Sequence, residues 1–204
     1  MPFRFPIPAL PRTSPGPRPR PAVALFAALV LTASWLAVSA PVWADTIPVK
    51  TAELRIEEGE VLLNAEFEFL LNPTLEEALE KGIPLYFVLE LELTRGRWYW
   101  LDEKVAQMAL VYRVSYNALT RQYRVASGLL TQMFNSLEEV EHFIGRITSR
   151  PVASADALTK GARYDAAVRL RLDVSQLPKP FQVNALASRE WTLASDWHRW
   201  SFTP

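Results

Sequence analysis

Cysteine is absent from all 204 residues. That excludes disulfides, thiol chemistry, cysteine-ligated metals and a lipid-modified cysteine anchor, so packing alone must hold the fold. Histidine is scarce, with only His142 and His198 present. They show neither HxxxH nor HxH spacing, and a metal site usually gathers three or four ligands. A serine hydrolase triad would need one of these two residues, and no GxSxG elbow supplies its nucleophile. The seven glycines include no phosphate-cradling loop. Concentrated positive charge is also missing. The first 44 residues hold four arginines and no acid, which leaves 18 basic against 22 acidic side chains in the remainder. That balance argues against a nucleic-acid surface.

The N-terminus is rich in what the rest lacks. Arg4, Arg12, Arg18 and Arg20 are interspersed with Pro2, Pro6, Pro8, Pro11, Pro15, Pro17 and Pro19, a composition that stays extended and packs no core. The apolar run AVALFAALVLTASWLAV follows, from Ala22 to Val38. Basic residues, an apolar run and then small residues form the layout of a secretory signal. Val42 and Ala44 fit the two pockets that read the residues before a cut, so cleavage is expected between Ala44 and Asp45. The rival reading is an uncleaved anchor, since the run reaches the lower limit for a membrane span, roughly 17 residues. Both readings put residues 45–204 on the far side of the membrane. The protein is expected to be periplasmic, or inner-membrane anchored with a periplasmic domain, and to touch the membrane only through a retained leader.

Residues 45–204 suit a single domain that buries about two-thirds of its unfolded surface. Two-residue alternation recurs throughout. Val49–Ile56 and Val61–Leu70 flank a turn of Glu57, Glu58, Gly59 and Glu60 and read as a hairpin. NPTLEEALEKG is a short helix, with Asn72 as cap, Pro73 at the first position and Gly82 as stop. Strands follow at Leu85–Leu93, Arg97–Leu101, Lys104–Tyr116 and Gln122–Ala126. Ser136 and Glu139 form a capping box for a second helix. Its apolar positions run through Ile147, and Arg150 and Pro151 end it. Residues 151–161 read as a surface loop, and Tyr164–Leu172 as a strand. LPKPFQVNALAS is expected to be irregular or a single helical turn, and the tail to give one last strand or two short ones. The sum is a mainly β fold: an antiparallel β-sandwich, or a strongly curved sheet, of seven to eight strands with two short helices.

Two clusters invite a chemical reading. Glu66/Glu68 and Glu90/Glu92 resemble paired glycosidase carboxylates. Their spacing of two puts each pair on the outward face of a strand, where Arg169 and Arg171 share the same spacing. A ladder of opposite charges across strands is the expectation. The aromatic cluster is the more unusual feature: Trp98 and Trp100 in one strand, and Trp191, Trp197 and Trp200 near the C-terminus with Arg199 between rings. These rings either plug the core or form an exposed platform. In the second case Trp98, Trp100, Trp197, Arg199 and Trp200 are the candidate binding residues.

LNPTLEEALEKGIPLYFVLELEL (Leu71–Leu93), QYRVASG (Gln122–Gly128) and LPKPFQVNALASREWTLASDWHRW (Leu177–Trp200) give the chain a family likeness. It resembles a family of exported bacterial proline-rich signal-peptide proteins that carry domain of unknown function 4390. The resemblance implies no activity, no cofactor and no catalytic residue. It associates the family with genes for a nitrogen-type sensor kinase and its regulator. The expectation is a non-catalytic envelope protein that binds another envelope protein, with strand addition at a sheet edge as its natural mode. The alternatives are a small-ligand or glycan binder using the rings, and an enzyme. An enzyme would need His142 or His198 beside a carboxylate in a sheltered hollow.

Overall fold

In a computed structural model, residues 46–96 and 103–204 are described. Strands β1 (Val49–Glu57) and β2 (Glu60–Phe67) form the expected hairpin, with Glu57 opposite Glu60. Glu58 and Gly59 both take positive φ, 51° and 83°, giving the mirror-type turn whose twist matches the flanking strands. Helix α1 (Pro73–Glu80) starts where Asn72 accepts a 3.0 Å hydrogen bond from the Leu75 N–H. It stops in a Schellman arrangement: Gly82 N–H donates to Leu79 C=O at 2.8 Å, Ile83 N–H to Ala78 C=O at 3.0 Å, and Gly82 takes φ 82°.

The remaining strands are β3 (Leu85–Arg95), β4 (Glu103–Asn117), β5 (Gln122–Ser127), β6 (Leu130–Phe134), β7 (Arg146–Ser154), β8 (Tyr164–Leu172) and β9 (His198–Phe202). They form a three-stranded sheet, β1-β2-β7, and a six-stranded sheet, β6-β5-β4-β3-β8-β9; every strand pair is antiparallel. The inner faces of both sheets enter one core, where Val61, Leu63 and Phe67 of β2 join Phe87, Leu89 and Leu91 of β3 and Val168 and Leu170 of β8. Phe69, just past β2, meets Phe87 edge-on with ring centroids 4.8 Å apart. The mainly β antiparallel class is therefore as the alternation predicts.

The described residues hold nine strands and three α-helices, against the expected seven to eight and two. Three segments account for the difference. β6 exposes four of its five residues, so it carries no buried stripe to read. Helix α2 (Leu137–Gly145) opens with Ser136 accepting from the Glu139 N–H at 3.2 Å but ends at Gly145, not at Arg150. Ile147 is buried from β7, which pairs with β2 where a longer helix and a loop were expected. LPKPFQVNALAS contains a third helix, α3 (Lys179–Ala187), longer than one turn; Pro180 falls in its first turn, where no N–H is missed. The expected strand Arg97–Leu101 lies outside the described residues.

Gly145 makes the helix-to-strand switch feasible. A Cβ there would sit 2.8 Å from the Phe67 carbonyl oxygen and 3.4 Å from Phe69 Cβ. Gly145→Ala is expected to lower stability by about 1–2 kcal/mol, because overpacking against backbone outweighs the gain of about 1 kcal/mol in helix propensity. Urea denaturation reads this directly, and an unchanged or higher midpoint would contradict the crowding argument.

Candidate functional site

The outer face of the large sheet carries the charged ladder. β3, β8 and β9 lie in register so that Glu90 faces Arg169, Glu92 faces Ala167 and then Arg199, and Thr94 faces Asp165 and then Ser201. Glu90 accepts from Arg169 Nε and from Arg171 Nη2, the latter at 2.9 Å. Arg171 also lies 3.6 Å from Asp173, and Lys104 reaches Glu92 at 3.0 Å. Burial pushes the Glu90 carboxyl up, but the hydrogen bonds and charges of Arg171 and Arg169 outweigh it and hold the group below its ordinary value. These are the outward carboxylates and guanidiniums that the spacing predicts. Glu90 is committed to two cations.

Trp197 sits at the end of this ladder. The Arg169 guanidinium lies 4.4 Å from its ring centroid, a cation–π contact. Ala167 has almost no side chain, so a hollow of about 350 Å³ opens between Glu92, Asp165, Trp197 and Arg199. Trp200 faces the other way. It pairs with the buried Ala166, packs on the core and lies beside His198, with centroids 5.7 Å apart. Trp191 is a core residue. Of the candidate binding set, Trp197 and Arg199 therefore share a hollow, and Trp200 is on the opposite face of β9. Trp98, Trp100, Ala44 and Asp45 lie outside the described residues.

A second hollow, of about 290 Å³, has Glu66, Glu68, Glu138, Glu141 and His142 in its lining, together with the cations Lys50 and Arg146. Glu141 is occupied structurally: its Oε1 accepts from the Leu71 N–H at 2.7 Å. Burial raises its carboxyl above the ordinary value, the Leu71 hydrogen bond opposes this, and the charges of Glu76 and Glu138 add to it. Glu66 and His142 thus share a hollow, whereas Glu90 lies on the other sheet, bound by arginines. Among the described residues, no group of three or more His, Asp or Glu is placed to hold a metal ion, and no helix is long and apolar enough to cross a membrane.

The profile of the domain of unknown function DUF4390 matches residues 44–201. The chain belongs to this family. No curated protein and no solved structure matches it. The match runs from before β1 into β9, so both sheets, the ladder and both hollows belong to the DUF4390 domain.

The strand edges of the DUF4390 domain differ sharply. Edge β1 carries Lys50, Glu53, Arg55 and Glu57. Edge β7 carries Arg146, Arg150 and Pro151, and is bulged at Ser149, whose φ is 46° and whose N–H donates to Asn64 Oδ1 at 2.8 Å. Edge β9 is five residues long and includes His198 and Arg199. Charge, proline, bulges and shortness are the usual protections against foreign pairing. Edge β6 has shortness alone: Leu130, Thr131, Gln132, Met133 and Phe134 include no charge, and Leu130 and Met133 are 70% and 60% exposed. Two-residue alternation does not reveal this edge, because four of its five residues are exposed. The uncharged run GLLTQMF from Gly128 to Phe134 was the signal available for it.

Proposed function

We propose that this chain is an exported, non-catalytic envelope protein that binds another envelope protein by strand addition along β6. The observation that carries the reading is the contrast among the four edges: β6 alone is uncharged, and it presents large apolar side chains. An added strand would satisfy its outward N–H and C=O groups and cover Leu130 or Met133, depending on face. The resemblance to a family encoded near a sensor kinase makes the outer part of such a membrane sensor the proposed partner.

Thr131 and Met133 sit opposite Ala126 and Arg124, on the outer face of the sheet. Lysine at both (Thr131→Lys with Met133→Lys) places charge on the edge and leaves the core untouched. Stability is expected to change by less than about 0.5 kcal/mol. A photocrosslinker at Gln132 in intact envelope is expected to capture a defined partner in the parent and to lose it in the double variant. Equal capture in both proteins would sink the reading.

Export is the second part of the proposal. Ile47 is buried and its N–H donates to Ala194 C=O at 3.1 Å, so a cut between Ala44 and Asp45 leaves this contact intact. N-terminal sequencing of the protein recovered from the envelope is expected to read Asp-Thr-Ile-Pro. Recovery of the intact leader would replace cleavage with anchoring.

A further inference from the structure

The large sheet is wider than the small one, and its β4-β5-β6 wing leaves a cleft against β7 and α2. This cleft of about 370 Å³ is floored by Leu110, Tyr112, Val125, Phe143 and Ile147. Its size falls within the range of small-molecule pockets, roughly 300–1,000 Å³. Leu110 and Phe143 stay only half-buried, and Leu130 at the mouth is largely exposed. Apolar surface is thus left in contact with water at this cleft.

Two guanidiniums stand over this floor. Arg146 and Arg150 line the cleft from β7, and both are exposed. Neither has a carboxylate within ion-pair distance among the described residues, whereas Arg55, Arg95, Arg169 and Arg171 each have one. Arg146 pairs in register with Glu66 and also lines the hollow that holds Glu66, Glu138 and Glu141, while Arg150 is opposite Leu63. Of the two, Arg150 is therefore the one whose strand partner is not an acid. Its field also reaches the buried Tyr112 phenol at the back of the cleft, where it opposes the upward push of burial.

We propose that this cleft binds a free aliphatic carboxylate of medium chain length, with the chain on Leu110, Val125, Phe143 and Ile147 and the carboxylate at Arg150, assisted by Arg146. An apolar body with one anionic end matches both the floor and the rim. A neutral amphiphile would leave the guanidiniums unanswered, and a cationic one would be repelled. Arginine suits the role because its planar fork can take both carboxylate oxygens.

The test is calorimetric titration of the protein with dodecanoate and dodecyltrimethylammonium below their micelle concentrations and with dodecanol below its solubility limit. Dodecanoate is expected to bind at least tenfold more tightly than dodecanol, and the cation not to bind. Affinity is expected to rise about fourfold per methylene from octanoate until the cleft is full. Arg146→Gln with Arg150→Gln should erase the advantage of the carboxylate while leaving the unfolding midpoint unchanged. Arg150→Gln alone should remove most of it, which keeps the test valid if the double variant folds poorly. Dodecanol binding as well as dodecanoate, no binding of either, or full dodecanoate affinity in both arginine variants would each overturn the proposal. The β6 lysine variant should bind dodecanoate normally, so failure here and failure of strand addition are read separately.

Discussion

Phe87→Ala is expected to cost about 4 kcal/mol, the middle of the range for deleting a fully buried phenylalanine ring. Phe87 has no exposed surface, and its ring meets Phe69 edge-on at 4.8 Å. Phe87 belongs to the large sheet, and Phe69 follows the last strand residue of β2 in the small one. The pair therefore clamps the sheets together at a point where no backbone hydrogen bond links them. Urea unfolding of Phe87→Ala, Phe69→Ala and the double variant forms a cycle. The coupling between the two is expected near 1 kcal/mol, the usual value of an edge-on aromatic pair beyond its area burial. A Phe87→Ala loss below about 2 kcal/mol would mean that the sheets do not depend on this contact, and the single-core description would fail. Native stabilities of about 5–15 kcal/mol make a loss of the expected size visible in expression yield as well.

What the sequence shows follows from which physical signal each element carries. β2, β3 and β8 are legible because one face is dry and the other wet; every second residue from Val61 to Phe67 is buried. α1 is legible because both of its ends carry caps. The charged ladder is legible for the same reason as its strands, since outward residues two apart on β3 and β8 must meet once those strands pair. The aromatic candidates are only partly so. Alternation puts Trp200 and Arg199 on opposite faces of β9, but only the pairing of Trp200 with Ala166 decides which face is the core. β7 is illegible because Ile147 continues the helical spacing of α2, and the close approach of Gly145 to the Phe67 carbonyl is a tertiary fact. β6 has too little buried surface to announce itself. The cleft is assembled from β4, β5, α2 and β7, and its two arginines carry no local pattern. Edges and clefts depend on what fails to cover a residue, and a single strand does not encode that.

Glu90→Ala is the second large effect, expected at about 2–3 kcal/mol. The carboxylate holds Arg169 and Arg171, whose side chains are 33% and 30% exposed. Hydrogen bonds to charged groups contribute roughly 1.5–3 kcal/mol each when buried, and partial exposure of the arginines discounts this. The loss is mostly the penalty of leaving two half-buried cations side by side, so it exceeds what the intact cluster contributes relative to apolar residues. Glu90→Gln keeps the shape but only one acceptor oxygen, so its NH2 faces one of the two guanidiniums, and it is expected to lose only slightly less. The pH dependence separates charge from packing. Because the folded-state value of Glu90 is lowered, its stabilisation is complete above the ordinary glutamate value, about 4.3, and disappears as pH falls through the lowered value. Glu141 has the opposite sign: its folded-state value is raised, so the folded protein gains stability as pH falls through that value. Stability measured from pH 7 downward should therefore show a shallow gain from Glu141 before the loss from Glu90. Glu90→Gln should remove the acid loss and leave the gain; Glu141→Gln should do the reverse. An acid limb unchanged by Glu90→Gln would show that the two arginines do not hold this carboxylate in solution, and the ladder would be reduced to surface charge.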